Sequence, residues 1–183
     1  MRVISGTAKG RTLKPAGAAT RPITDRVKES LYDILGMRVL DANVLDLFAG
    51  AGSVGIEALS RGARAATFVE IDHIALRVIR DNLTSTRLIE RARIVRLDVF
   101  KFIRRTAGEL YDFIYVAPPQ YKELWAETLA VLDQSALLAE RGIIVAQIHP
   151  KEYKELVLTQ LELFDQRKYG STLLCFYRRR LAQ

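Results

Sequence analysis

The sequence predicts a doubly wound α/β domain whose mostly parallel, seven-stranded sheet closes with an antiparallel hairpin. Three observations carry that prediction. From residue 43 onward, short apolar runs alternate with helix-period segments, as they do when parallel strands are linked by crossover helices. Runs such as Val44, Leu45, Leu47 and Phe48, or Ile143, Ile144, Val145 and Ala146, are apolar on both strand faces, which suits strands covered by helices on each side. The last two apolar runs are separated only by a turn at Gly170, and strands so closely spaced can pair only antiparallel.

The elements follow in order. Residues 1–24 read as a small, basic N-terminal extension: strands at 2–5 and 11–14 form a hairpin around Ala8, Lys9 and Gly10, and the loop Pro15 to Ala19 follows. The remainder, 25–183, is the main domain. Val27, Leu31, Ile34 and Leu35 recur at helical spacing, with Thr24 or Asp25 as cap and Gly36 as stop, so 25–35 is an amphipathic helix. Strands are predicted near 44–48, 67–71, 93–97, 112–117, 142–149, 161–169 and 172–179. Helices are predicted near 53–61, 73–83, 99–106, 122–133 and 151–158.

Composition narrows the function. With 183 residues, 49% hydrophobic and 27% charged, the chain has the size and balance of one globular domain. No run of about 18 apolar residues exists and the first residues lack an apolar h-region, so a cytoplasmic protein without a membrane span is expected. One Cys and two His offer no zinc framework, and no metal is expected. Cys175 lies within the apolar run of Leu173, Leu174 and Phe176 and reads as a core residue. Trp125, Leu129 and Leu132 at helical spacing also read as core, and His149 as structural.

The net charge of +7 is concentrated at the ends. Residues 1–24 hold Arg2, Lys9, Arg11, Lys14 and Arg21, and residues 166–183 hold Arg167, Lys168, Arg178, Arg179 and Arg180, with no acid in either stretch. The middle is left slightly acidic. Such asymmetry points to a polyanionic partner, the bland alternative being a solvated tail.

Asp46 to Gly55 contains G-x-G-x-x-G between a strand and a helix, the Rossmann-like arrangement in which Gly50 and Gly52 permit a tight turn and close approach by a ligand. The motif alone suits either NAD or S-adenosylmethionine. Glu70, ending the next strand, can accept from ribose hydroxyls of either cofactor. Asp46 favours S-adenosylmethionine, because a carboxylate there repels a pyrophosphate and attracts a sulfonium and an ammonium. Asp98, after the third strand, is placed to accept from an adenine amino group. Each carboxylate taken singly could be an ordinary helix cap.

The fourth strand runs into Ala117, Pro118, Pro119, Gln120 and Tyr121, and here the sequence resembles the bacterial methyltransferases that modify the exocyclic N2 of a guanosine in 16S ribosomal RNA. The resemblance covers nearly the whole chain. It is carried by Arg2 to Gly6 with Lys9 to Arg11, by Arg21 to Glu29, by Leu45 to Gly52, by Glu57 to Ala63 and by Phe68 to Glu70. It implies S-adenosylmethionine as cofactor. Asp46, Phe48, Gly50 and Gly52 would line its methionine and ribose, Glu70 with Ile71 the ribose, and Asp98 with Val99 the adenine. Thr24 and Arg26 would close over its carboxylate, unless Arg26 simply faces solvent. Ribosomal RNA or a small-subunit assembly intermediate is the implied partner, held by Arg2, Lys9, Arg11, Lys14 and Arg21, and a monomer is expected.

The departure lies in the reaction loop. The family shows an Asp or Asn, two prolines and an aromatic in succession, whereas this chain has Ala117 in place of the acid and Gln120 before Tyr121. A carbonyl of Ala117 or Pro118, with Gln120, would have to hold the amino hydrogens, and Tyr121 would stack on an extruded base or else pack beside Trp125. Three rival readings remain: an amino-group methyltransferase on adenine N6, a cofactor- or RNA-binding protein that has lost turnover, and an NAD-dependent dehydrogenase.

Overall fold

A computed structural model describes residues 1–17 and 23–180. Arg21 and the end of the predicted 15–19 loop lie outside the described residues. The strands are β1 (Asn43–Leu47), β2 (Ala65–Glu70), β3 (Ala92–Arg96), β4 (Tyr111–Val116), β5 (Leu138–Ile148), β6 (Leu161–Tyr169) and β7 (Thr172–Arg179). The helices are α1 (Asp25–Leu35), α2 (Ser53–Ser60), α3 (His73–Thr86), α4 (Val99–Arg105) and α5 (Leu124–Asp133). The seven strands form one sheet in the order β3-β2-β1-β4-β5-β7-β6, parallel from β3 to β5 and antiparallel at β7. The chain reverses direction across the sheet between β1 and β4, and a crevice opens beyond the carboxyl ends of strands at such a switch point.

Two apolar layers flank the sheet. Leu31, Leu35, Ile56, Leu59, Ile79 and Leu83 from α1, α2 and α3 cover one face. Phe102, Ile103, Trp125, Leu129 and Leu132 from α4 and α5 cover the other, together with Cys175, whose thiol is raised to about 11 by burial. Glycine at position 55 is a packing requirement, because a Cβ there would meet the Phe68 ring at 2.4 Å. Among the described residues no helix is long and apolar enough to cross a membrane.

Two predicted elements differ. The N-terminal hairpin forms but is short: beside the Arg2–Thr12 bridge, the Val3 amide donates to Arg11, the Gly10 amide to Val3 and the Leu13 amide to Met1 at 2.9 to 3.0 Å, whereas the amides of Ile4 and Ser5 donate to the Glu57 carboxylate at 2.8 and 3.0 Å. Val3, Ala8 and Leu13 are buried, so this segment is part of the core surface and not a free arm. The predicted helix at 151–158 is a single 3-10 turn, Pro150–Glu152, followed by chain without regular structure over 153–158 and a bend at 159–160. β6 runs parallel to β5 with β7 between them, so the connection must return along the sheet and step past a strand. Non-helical chain can cover up to roughly twice the distance per residue that a helix does. Tyr153 stacks on Trp125 with ring centroids 6.3 Å apart, and Leu158 is buried, which accounts for the apolar spacing that imitates a helix.

Candidate functional site

The glycine loop after β1 is bent by positive φ angles at Phe48 (61°), Gly50 (55°) and Gly52 (74°), conformations that favour glycine at the last two positions. Glu70, at the end of β2, fastens it. One carboxylate oxygen accepts from the Gly50 amide at 2.9 Å, and the other accepts from the amides of Ile71 and Asp72 at 2.8 and 3.0 Å. A carboxylate oxygen offers more than one acceptor site. Glu70 therefore sets the loop geometry, and the next residue, Ile71, is 62% exposed.

Asp46 differs from the other carboxylates. It is buried beneath the loop and accepts from the Gly55 amide at 3.0 Å, so it caps the start of α2. Burial pushes its pKa up to about 7, against the lowering effect of the Gly55 bond, and nearby Glu70 adds to the rise. Asp98 caps α4 by accepting from Lys101 at 3.0 Å, with Val99 buried behind it. Thr24 caps α1 through its hydroxyl, which accepts from Val27 at 3.3 Å, and Arg26 is exposed in the first turn of that helix.

The loop from Ala117 to Tyr121 stands beside the glycine loop. The Ala117 amide donates to the Leu47 carbonyl at 3.5 Å, so the ends of β4 and β1 are held together at the switch point. Pro118 is buried, while Pro119 is exposed and Gln120 half-buried. The Tyr121 amide donates to Glu152 at 2.6 Å, and Lys154 pairs with Glu123, so the turn after β5 anchors the loop from the other side. Tyr121 has a φ of 60°, is 66% exposed, and lies 5.6 Å from the His149 ring. Its ring thus pairs with His149, and Trp125 pairs instead with Tyr153. His149 is also the cap of the turn at Pro150, accepting from Lys151 at 3.2 Å.

Below the loop, the hydroxyl of buried Tyr115 donates to Gln147 Oε1. Gln147 was legible as the single polar residue in the apolar run 143–148. Glu57 and Lys28 are likewise residues whose importance the sequence hides. Both are fully buried, with Lys28 Nζ 3.5 Å from the Glu57 carboxylate and 3.1 Å from Ser53 Oγ. Burial draws the Lys28 ammonium below its ordinary value, opposed by Glu57. The signal was a charge inside the wholly apolar face of each helix.

The basic residues divide. Arg2 pairs with Asp25 at 3.2 Å and Lys14 with Asp81 at 2.9 Å, while Lys9 and Arg11 are exposed and unpaired among the described residues. At the other end, Arg167 pairs with Asp165, Arg178 with Glu162, and Arg179 donates to the carbonyls of Leu138 and Ser135. Much of the C-terminal charge is engaged within the hairpin and is no solvated tail.

Residues 1–178 match the family model described as Conserved hypothetical protein 95. Ribosomal RNA small subunit methyltransferase D of Escherichia coli (strain K12) is 32% identical to this chain, covering 98% of it and 90% of its own length. The chain belongs to this methyltransferase family. YlbH of Bacillus subtilis (strain 168), which carries a provisional name as an rRNA methyltransferase, is 40% identical over 98% of the chain and 100% of its own length. The solved structure of yhhF from Escherichia coli superposes with a TM-score of 0.86 at 31% identity, covering 98% of this chain and 97% of that one. The architecture is that of the family, a mixed sheet with an antiparallel C-terminal pair.

Proposed function

We propose that this protein transfers a methyl group from S-adenosylmethionine to the exocyclic N2 of a guanosine in 16S ribosomal RNA, with the base turned out of its helix into the crevice. The observation that carries the reading is the junction of two loops at one switch point: the glycine loop fastened by Glu70, and the Ala117 to Tyr121 loop hydrogen-bonded to the end of β1. The small-subunit methyltransferase relatives supply the substrate class.

The residues suit the cofactor. Gly52 suits the position because a Cβ there would crowd Phe68 at 3.2 Å, and its left-handed turn lets the backbone approach a ligand closely. Glu70 has acceptor capacity for ribose hydroxyls, Ile71 an exposed apolar side chain for a nucleoside ring, and Asp98 with Val99 an acceptor and an apolar wall for adenine. Phe48 lines the same turn. Asp46 acts from beneath, as a buried group whose negative form a nearby cation would stabilise. Thr24 and Arg26, at the head of α1, are the residues assigned to the amino-acid carboxylate.

The bound cofactor supplies an electrophilic methyl group, so the protein's task is orientation more than strong base catalysis. Guanine N2 is a weak nucleophile because its lone pair is delocalised into the ring. The carbonyls of Ala117 or Pro118, aided by Gln120 Oε1, accept the amino hydrogens and turn the lone pair toward the methyl group. Pro119 stiffens the loop, and Tyr121 stacks on the base, backed by His149. Arg2, Lys9, Arg11, Lys14 and Arg21 hold RNA phosphates.

The test is radiolabel transfer from S-adenosylmethionine to small-subunit particles from cells lacking this protein, followed by nucleoside identification. N2-methylguanosine is the expected product. N6-methyladenosine would reassign the substrate. Cofactor binding without any transfer would mean that Ala117 marks a protein that has lost turnover. Tyr121→Ala should lower transfer at least tenfold while leaving S-adenosylhomocysteine affinity unchanged, and unaltered transfer would reject its stacking role.

A further inference from the structure

We infer that the outer face of α3 is a second RNA-docking surface, which binds the phosphate backbone beside the crevice mouth. The inference rests on the proposed RNA substrate and adds a surface to it. The inner face of α3 buries Ala75, Leu76, Ile79, Asn82 and Leu83. The outer face carries His73, Arg77 and Arg80, all exposed and spaced near the helical repeat, and exposed Arg87 follows as the left-handed C-cap of the helix. None of these three arginines is in an ion pair among the described residues. Of the acids near this face, Asp72 accepts from Ala75 as the cap of α3 and Asp81 pairs with Lys14.

Position makes this charge useful. α3 starts three residues after Glu70 and is tied to the glycine loop: Asn82 Nδ2 donates to the Ala51 carbonyl at 3.0 Å, and Ile79 lies within 3.4 Å of where a Gly52 side chain would begin. Arg77 and Arg80 therefore lie on the exposed face of the same helical turns whose buried residues Ile79 and Asn82 touch the glycine loop. The same Asn82 clamps the backbone of Lys14, accepting from its amide at 2.8 Å and donating to its carbonyl at 3.0 Å. The segment ending at Lys14 is thereby held against α3, with Lys14 itself paired to Asp81 of that helix. By contrast, the turn bearing Lys9 sits against Ser60, at the end of α2 remote from the crevice, where Thr7 and Ala8 donate to that residue. An RNA whose base enters the crevice meets the α3 face before it meets that turn. Charge of this kind, without a base-reading groove or an aromatic platform, suits phosphates and not sequence.

The experiment compares the parent with the triple variant R77Q/R80Q/R87Q and with R178Q, whose arginine is paired with Glu162 inside the hairpin. The probe is a labelled stem-loop fragment of small-subunit ribosomal RNA, titrated at several salt concentrations. The triple variant should bind at least tenfold more weakly near physiological salt, and its log–log salt slope should fall by about 2 to 3, since each neutralised phosphate contributes roughly 0.7 to 0.9. R178Q should match the parent, and S-adenosylhomocysteine affinity should be the same in all three. Equal RNA affinity and equal slope in the triple variant would overturn the inference while leaving the methyl-transfer reading intact. A parent that binds no RNA fragment and transfers no methyl group to particles would overturn both.

Discussion

Each end of the chain is fastened by a buried carboxylate that gathers backbone amides, but the two fastenings differ in kind. Glu57, on α2, receives the amides of Ile4 and Ser5 and is also balanced by Lys28 at 3.5 Å and Arg61 at 2.8 Å. Asp133, at the end of α5, receives the amides of Thr159, Gln160 and Leu161 and the Thr159 hydroxyl, all at 2.8 to 2.9 Å, with no basic side chain paired to it among the described residues. The first anchor is an ion-pair network holding a segment that leaves Lys9 and Arg11 in solvent. The second is an amide nest that aims the chain into β6, in a hairpin whose arginines are turned largely to internal partners. A positive end that is structurally clamped can present charge, whereas one woven into a sheet tends to consume it.

The largest effect should separate the anchors. Glu57→Ala leaves the buried Lys28 ammonium uncompensated and should cost about 3 to 5 kcal/mol in denaturant unfolding. Asp133→Ala leaves unsatisfied amides without a stranded charge and should cost about 1 to 3 kcal/mol. Hydrogen exchange locates each loss: Ile4 and Ser5 should lose protection in the first variant, Gln160 and Leu161 in the second. Equal costs would erase the distinction between the fastenings.

The pH dependence sharpens it further. Burial raises the Asp133 pKa, but the bonds from Thr159, Gln160 and Leu161 outweigh burial and hold it below its ordinary value. Its contribution is present above the ordinary carboxylate pKa of 3.8 and is lost as pH falls through the lower folded value. Asp46 runs the other way. Its folded pKa of about 7 lies above the ordinary 3.8, so the folded state favours the protonated form, and that stability is full below 3.8 and declines as pH rises to about 7. Asp46→Asn should therefore gain stability relative to the parent between pH 5 and pH 8, and Asp133→Asn should show no such gain over that range. Thermal unfolding at the two pH values checks both.

The smallest change in stability should accompany loss of the exposed N-terminal charge. K9Q/R11Q should stay within about 0.5 kcal/mol of the parent, as surface substitutions usually do. If this turn touches RNA, the stem-loop affinity falls and its salt slope drops by up to about 2. R178Q, in the hairpin, should alter neither RNA affinity nor slope.

Much of the candidate site was legible because its signals are local. The glycine spacing at 50, 52 and 55, the carboxylates near three strand ends, and the Pro118-Pro119 turn all lie within single strand–loop–helix units. Where each carboxylate points was not legible. Asp46 turns under the loop to cap α2 and Glu70 turns back to hold Gly50, because backbone amides were available at the right distance. Tyr121 meets His149 and not Trp125, since Glu152 and Lys154 fix the loop from a segment some thirty residues away in the chain.

By itself, the sequence determined the alternation of strands and helices, the closing hairpin at Gly170 and the turn chemistry of the glycine loop, because hydrophobic period and glycine placement act between neighbours. Tertiary structure alone decided that the short N-terminal hairpin is stapled to Glu57, that 153–160 is not helical, and which arginines remain free to meet an anion. Those outcomes depend on donors and acceptors more than 20 residues apart, such as Ile4 with Glu57 and Leu161 with Asp133, whose encounter no local pattern records.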